Sequence, residues 1–411
     1  MTFGVLGRKL THTLSPELHR FFGDYEYKIY EKEPDKIRDF IKNGKYTGLN
    51  ITVPYKRIAF ECADRLSENA QKTKSVNTLV READGSLSGY NTDCSGFSYL
   101  LDKNGFDVKG KKVLILGSGG AASACKLVLS EKQANVTVVS RKGENNYDNL
   151  YLHRDADFIV NATPVGMYPN CPENIVSLEN FDNLSGVIDL IYNPLKTGIL
   201  IQAEKKNIKY ANGLEMLAAQ GLYSAELFLK KEIDKSIIAL AAKTLEKQMK
   251  NIVIVGMPGS GKTTVGKRLA EILEMNFADT DEIIKSGTGR TADEIILSNG
   301  EEVFRNFECE AVAFAGKMHG TVISTGGGAV ENEKNFYPLK QNGVIIWLKR
   351  DTEELVLSGR PLTGTKERAE KVYEMRRGKY QSFCDISVFS KKTVEDTAKA
   401  AAEILKEANL L

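Results

Sequence analysis

The sequence predicts an α/β chain with parallel sheets in both halves, and three observations predict it. Short runs rich in Val, Ile and Leu at 113–116, 136–139, 158–160, 186–191, 252–255, 321–324 and 344–348 alternate with stretches of helical periodicity. One run opens into the glycine turn Gly117-Ser118-Gly119-Gly120-Ala121-Ala122. Another opens into Gly256-Met257-Pro258-Gly259-Ser260-Gly261-Lys262-Thr263-Thr264. The two turns differ in spacing, and no internal repeat relates the halves.

The chain is long enough for several cores: it has 411 residues, of which 42% are hydrophobic. Its 56 basic and 54 acidic residues leave a net charge of +2 with no basic tract, so neither nucleic acid nor a lipid surface is an expected partner, and small molecules are. Six scattered cysteines form no Cys-x-x-Cys pair, which argues against zinc or a disulfide framework and for a reducing cytoplasm. No apolar stretch approaches the roughly 20 residues of a membrane span, and no signal peptide is expected.

In chain order, the first 110 residues hold the polar clusters Thr11-His12-Thr13-Leu14-Ser15-Pro16, Asn50-Ile51-Thr52-Val53-Pro54-Tyr55-Lys56, Ser75-Val76-Asn77-Thr78 and Asn91-Thr92-Asp93. Small neutral donors and acceptors of this kind suit a polyol with a carboxylate, and one Lys with one Asp suits proton transfer. The only histidines of this half, His12, His19 and His153, lack zinc-ligand spacing. Next comes strand 111–116 with its turn and a helical stretch, the Gly-x-Gly-x-x-Ala fingerprint of a dinucleotide-binding (Rossmann) unit. The following strand ends at Ser140-Arg141-Lys142 rather than at an acidic residue. A hydroxyl and two cations suit a 2′-phosphate, so NADP is expected over NAD. A Leu-, Ala-, Lys- and Glu-rich helical stretch from 220 to 250 closes this half, with a boundary near 247–251.

Together these residues resemble shikimate dehydrogenase over 1–245: Thr13-Leu14-Ser15-Pro16, Asn50-x-Thr52-Val53-Pro54-x-Lys56, Val76-Asn77-Thr78, Asn91-Thr92-Asp93, Asn161-Ala162-Thr163-x-x-Gly166, Asp189-x-x-Tyr192-x-Pro194-x-x-Thr197 and Gly213-x-x-Met216-Leu217-x-x-Gln220. The resemblance implies a substrate-binding domain at 1–94 completed by 213–246, and a Rossmann NADP domain at 95–212. It also implies that Lys56 and Asp93 are the catalytic pair and that Thr13, Ser15, Asn50, Thr52, Asn77, Tyr192 and Gln220 line the shikimate site. Gly117, Gly119, Gly120, Ala121, Ser140, Arg141, Lys142 and Gly213 then hold the cofactor. Thr13 stands where the family usually has Ser, which keeps the hydroxyl, and Ser140 where NADP-dependent members often have Asn.

The second half begins with a phosphate-binding loop (P-loop). Gly256, Gly259, Ser260 and Gly261 present backbone N–H groups, Lys262 neutralises phosphate, and Thr263, followed by Thr264, offers a hydroxyl to Mg²⁺. Phe277-Ala278-Asp279-Thr280-Asp281 places two carboxylates on one side of an extended segment, one for Mg²⁺ and one for the acceptor. Then follow Gly300-Glu301-Glu302-x-Phe304-Arg305-x-x-Glu308, Ser324-Thr325-Gly326-Gly327-Gly328-Ala329, the Gly- and Pro-containing 359–364 and Arg376-Arg377-Gly378-Lys379-Tyr380. In this order the motifs resemble shikimate kinase across 250–411. The resemblance implies that Asp281, Arg305, Gly327, Gly328 and Arg376 bind shikimate, with Arg377 the alternative to Arg376 as carboxylate clamp. It further implies that Lys262, Thr263 and Asp279 serve ATP and Mg²⁺ and that Arg360 lies on a lid; phosphoryl transfer rests mainly on positioning and charge neutralisation, with Asp281 available to accept the hydroxyl proton.

The expected whole is a bifunctional enzyme that reduces 3-dehydroshikimate with NADPH and phosphorylates the shikimate formed. Two rivals stand beside it: a quinate or shikimate dehydrogenase of relaxed specificity joined to another small-molecule kinase, and a non-catalytic sensor that reuses both folds. Lys56, Asp93, Lys262 and Thr263 argue against the sensor, which needs no proton-transfer or Mg²⁺ residues.

Overall fold

Three sheets organise the chain in a computed structural model that describes residues 1–10, 13–169, 171, 174–356 and 365–410. The first contains β1 (Thr2–Gly7), β2 (Glu26–Glu31), β3 (Gly48–Ile51), β4 (Arg65–Leu66), β5 (Thr78–Arg81) and β6 (Leu87–Tyr90), in the order β2-β1-β3-β5-β6-β4. It is mixed: β5 runs antiparallel to both β3 and β6, and the other neighbours are parallel. Those residues stood out in the sequence only as polar clusters, and no sheet was expected of them. Asn50 lies within β3, which is buried along its whole length, Thr78 opens β5, and Ser15 opens the helix Ser15–His19.

The second sheet is wholly parallel, as expected, with β7 (Lys112–Leu116), β8 (Asn135–Val139), β9 (Phe158–Asn161), β10 (Gly186–Asp189) and β11 (Lys209–Ala211) in the order β11-β10-β9-β7-β8. The helix Asp93–Lys103 shows why this chain segment is helical: Cys94, Phe97, Leu100 and Leu101 recur at helical spacing and are buried. Each large side chain so buried contributes about 1.5–3 kcal/mol. The helix Leu214–Leu229 packs against it and also returns to the first sheet, where Phe228 stacks on Phe3 at 4.7 Å.

The third sheet is also parallel: β12 (Asn251–Val255), β13 (Asn276–Asp279), β14 (Thr321–Ser324), β15 (Gly343–Lys349) and β16 (Ile386–Phe389), ordered β13-β14-β12-β15-β16. Central β12 has a neighbour on each side from later in the chain, so the crevice beyond its carboxyl end is where an α/β sheet places ligands. The expected extended segment through Asp281 is corrected here. β13 stops at Asp279, whose carboxylate accepts from the Asp281 N–H at 2.9 Å and caps the helix Thr280–Thr288. Asp281 therefore sits in the first helical turn.

The chain divides into two compact units. One comprises Met1–Gly166, Asn174–Tyr192 and Gln202–Leu245; the other comprises Met167–Glu173, Asn193–Ile201 and Glu246–Leu411. The main division, at Leu245, falls just before the expected stretch 247–251, and two short pieces of 95–212 group with the second unit. No helix among the described residues is long and apolar enough to cross a membrane.

Candidate active sites

In the first unit Lys56 and Asp93 each open a helix, Lys56–Cys62 and Asp93–Lys103. Lys56 Nζ donates to Asp93 Oδ2 at 2.6 Å, with the two side chains 17% and 7% exposed. The helix N-terminus favours the carboxylate and disfavours the ammonium, so the aspartate is what keeps a lysine in that position. Asp93 Oδ1 accepts from Asn77 Nδ2 at 2.8 Å, and the same amide reaches Gln220 Oε1 at 3.4 Å. Asn77 Oδ1 accepts from the Thr92 N–H at 2.7 Å and from Thr78 Oγ1 at 3.1 Å. Thr78 Oγ1 also accepts from Asn50 Nδ2 at 3.4 Å. Lys56, Asp93, Asn77, Gln220 and Asn50 are thus brought into one hydrogen-bonded cluster.

Thr13 and Ser15 pair with each other at 3.1 Å, and the Thr52 N–H donates to the Leu6 carbonyl. Tyr192, half-buried beyond the end of β10, is hydrogen-bonded to none of these residues; burial raises its phenol above the ordinary value. Behind Asn50 lie residues that the sequence reading passed over. Tyr27 OH donates to Asn50 Oδ1 at 2.7 Å, and the His19 ring stacks on Tyr27 at 3.9 Å with Nδ1 at 2.7 Å from Tyr25 OH. Burial pushes the His19 imidazole down to about 3, so it is neutral. The available signals were the Tyr25, Tyr27, Ile29 alternation of a strand and His19 one helical turn after Ser15.

The dinucleotide turn has the shape its glycines predict. Gly117 has φ +113°, and its N–H donates to the Val139 carbonyl of the adjacent strand at 2.8 Å. Gly119 caps the helix Gly120–Glu131, and a side chain built there meets nothing within 4 Å, so the space at the cap is open, whereas one at Gly120 would lie 2.8 Å from Ser75 Oγ and 3.5 Å from Lys56. Ala121 lies in the first turn of that helix. Ser140 closes a tight turn with Gly143, leaving Arg141 and Lys142 exposed beside it. An open helix cap with two cations at the next strand end fits a dinucleotide carrying an extra phosphate. Gly213 packs so closely on the Leu190 backbone that any side chain would overlap it.

In the second unit the P-loop joins β12 to the helix Lys262–Leu273, with Gly256, Gly259 and Gly261 at φ +155°, +81° and +92°. Lys262 Nζ donates to the Gly256 and Met257 carbonyls at 3.0 Å each. Ser260 Oγ is buried without a hydrogen-bond partner, as a hydroxyl placed for a ligand oxygen would be. Thr264 follows Thr263 in the first turn of the helix. Thr263 Oγ1 donates to Asp279 Oδ2 at 2.7 Å, and a hydroxyl oxygen beside a carboxylate fits Mg²⁺, which takes few protein ligands and completes its shell with phosphate and water. An open groove of about 1090 Å³ is lined by Thr263, Asp279 and Asp281.

Around the glycine triplet the remaining residues converge. A side chain at Gly326 would lie 2.7 Å from Glu308 Oε1 and 3.2 Å from Asp281 Oδ1, and one at Gly328 would overlap the Arg305 guanidinium. Arg305 donates to Glu308 Oε2 at 2.8 Å and to Glu301 at 2.6 Å. Arg376 is buried, with Nε on Glu331 at 2.8 Å and Nη1 on the Gly327 carbonyl at 3.1 Å, while Arg377 is exposed. Tyr380 OH donates to the same Gly327 carbonyl at 2.6 Å. Glu308, which closes the sequence motif 300–308 but carries no role there, is buried with Oε1 unpartnered; burial raises its carboxyl above the usual range, against the pull of Arg305. Its three-residue spacing from Arg305 was the signal. Arg360 lies outside the described residues.

Comparison with known proteins agrees with both halves. Residues 5–79 match the shikimate dehydrogenase substrate binding domain and residues 258–409 match shikimate kinase. The shikimate dehydrogenase (NADP(+)) of Clostridium beijerinckii is 34% identical over 256 residues, 57% of this chain and 94% of that protein. That of Caldicellulosiruptor bescii is 37% identical over 249 residues, 53% of this chain and 85% of that protein. Among solved structures, a chorismate mutase/shikimate 5-dehydrogenase fusion protein from Clostridium acetobutylicum superposes with TM-score 0.57 at 34% identity, covering 60% of this chain and 97% of its own. Shikimate 5-dehydrogenase from Thermus thermophilus in complex with NADP(H) and shikimate gives TM-score 0.55 at 32% identity, covering 59% and 99%. The chain belongs to the shikimate dehydrogenase family and carries a shikimate kinase domain after it.

Proposed function

We propose that this chain carries out two consecutive steps: reduction of 3-dehydroshikimate to shikimate with NADPH, then phosphorylation of shikimate at its 3-hydroxyl with ATP and Mg²⁺. The observation that carries the first step is the Lys56–Asp93 pair, set at 2.6 Å within a cluster of neutral polar groups. NADPH, bound at the turn 117–121 with Ser140, Arg141, Lys142 and Gly213, supplies the hydride. Lys56 gives a proton to the carbonyl oxygen of 3-dehydroshikimate as negative charge develops on it, and regains one from solvent. Asp93 keeps the ammonium aimed and binds a hydroxyl. Thr13, Ser15, Asn50, Thr52, Asn77, Tyr192 and Gln220 hold the ring and carboxylate.

For the second step, Arg305 and Arg376 grip the shikimate carboxylate, with Gly327 and Gly328 giving close backbone approach. Burial and the contact with Gly327 favour Arg376 over Arg377 as the clamp. Asp281 accepts the proton of the attacking 3-hydroxyl, and Lys262 neutralises the transferred and leaving phosphates. Thr263 and Asp279 would hold Mg²⁺. Residues 1–94 with 213–246 form the substrate domain, 95–212 the NADP domain and 250–411 the kinase domain. Six free cysteines favour a reducing cytoplasm.

The test is one reaction: the purified chain with 3-dehydroshikimate, NADPH, ATP and Mg²⁺, following NADPH absorbance and ADP release separately, with NADH in a parallel run. NADPH loss with ADP release supports both steps. Binding without either signal would favour a sensor.

A further inference from the structure

β15 lies beside the P-loop strand β12, with Val255 opposite Trp347, so the start of the loop is level with the residues that leave β15. The approach is close: a side chain at Gly256 would lie 2.6 Å from the Leu348 carbonyl oxygen. Arg350 is the first residue after β15. Its Nη1 is the nearest atom to a side chain built at Gly261, 3.9 Å away. The guanidinium therefore stands at the start of the helix Lys262–Leu273, the end of a helix that favours bound phosphate.

The surroundings do not satisfy this arginine. Its Nε is buried with no hydrogen-bond partner, and its ion pair with Glu354 is long, 3.6 Å, to a carboxylate that is 61% exposed. In the same loop Ser260, 1% exposed, has its Oγ unpartnered and 3.2 Å from the side-chain position of Gly256. Two unsatisfied donors near a helix start are what a polyanion would satisfy, and a planar guanidinium pairs with two phosphate oxygens at once.

We infer that Arg350 is a second phosphate-holding cation for ATP, gripping the nucleotide from the β15 side while Lys262 holds it from within the loop. This rests on the kinase reading of the site. The long contact to Glu354 then serves to aim the side chain until nucleotide arrives.

Calorimetric titration of the full chain with MgADP, and separately with shikimate, tests the inference. Arg350→Gln is expected to weaken MgADP binding about ten-fold or more, the loss of a hydrogen bond to a charged group. It should also make that binding less sensitive to salt, while the shikimate Kd and the rate of NADPH oxidation stay within two-fold. Arg350→Lys is expected to recover part of the affinity. Lys262→Ala is the control: if it weakens MgADP binding and Arg350→Gln does not, the inference is wrong and the kinase reading stands. If neither variant changes MgADP binding, the kinase reading fails. If Arg350→Gln weakens shikimate as much as MgADP, the arginine is a structural element and the inference is overturned.

Discussion

Asn77→Asp tests whether the dehydrogenase site depends on a single amide N–H. The Thr92 backbone N–H can only donate, so the 2.7 Å contact fixes Asn77 Oδ1 and leaves Nδ2 facing Asp93 Oδ1 at 2.8 Å. The substitution keeps the shape and sets two carboxylates at that distance, where Asn77 and Asp93 are 2% and 5% exposed. At an effective dielectric constant of about 20, unit charges so placed repel by roughly 6 kcal/mol. Spreading each charge over two oxygens, with the Lys56 ammonium beside them, brings this to about 3 kcal/mol. One carboxyl of the pair is thereby made to keep its proton above the ordinary carboxylate range. A folded-state value raised above the unfolded one means that stability is intact at low pH and is lost as pH rises. The variant should therefore match the parent near pH 4, where the extra carboxyl still donates a hydrogen bond, and melt about 6–12 °C lower near pH 7.5. Dehydrogenase kcat should fall by about 10²-fold or more at neutral pH, with kinase activity unchanged. Thermal melts of both proteins at the two pH values provide the measurement. A gap in Tm that is the same at both would refute the placement of this amide against Asp93.

Other substitutions probe the two sites separately. Lys56→Ala is expected to lower dehydrogenase kcat by about 10²-fold or more and spare the kinase, and Lys262→Ala to do the reverse, as read from NADPH oxidation and ADP release. Arg376→Ala should raise the KM for shikimate at least ten-fold while Arg377→Ala changes it less than two-fold; equal effects would contradict the clamp assigned to the buried arginine. Because His19 is held down to about 3, an unfolded chain binds a proton there that the folded one does not between pH 6.5 and about 3. Stability should fall with decreasing pH across that window, by up to about 1.4 kcal/mol per unit from this group. His19→Gln should flatten that slope in thermal melts.

The residues proposed to carry the chemistry were legible as motifs because motif spacing fixes them locally. The P-loop and the dinucleotide turn need glycines at defined positions, and their strands and helices follow directly. The first sheet was not legible, since β3 and β5 are four residues long and both are buried at nearly every position, which erases the alternation that marks a strand. Asp281 looked extended because the segment before it is; the capping role of Asp279 ends the strand there. The residues behind each site, Tyr27 and His19 in one and Glu308 in the other, act on a neighbouring side chain, so the sequence offers only their spacing and the contacts supply their meaning. Arg350 left no local signal at all, because its meaning comes from two strands that are adjacent in space but about 90 residues apart in sequence.

The return of the helix Leu214–Leu229 to the first sheet has a consequence for synthesis on the ribosome. Gly221 packs on Leu18 and Phe22, Gly48 lies under Phe228, and Gly96 faces Met216 and Gln220. The N-terminal lobe thus emerges with one face bare and must wait for the whole parallel sheet β7–β11 to be translated before its cover arrives. At roughly 5–20 residues per second that interval is on the order of ten seconds. Throughout it, Phe3 and Leu18 stay without their final neighbours, so nascent chains released before residue 229 should be the ones that chaperones retain.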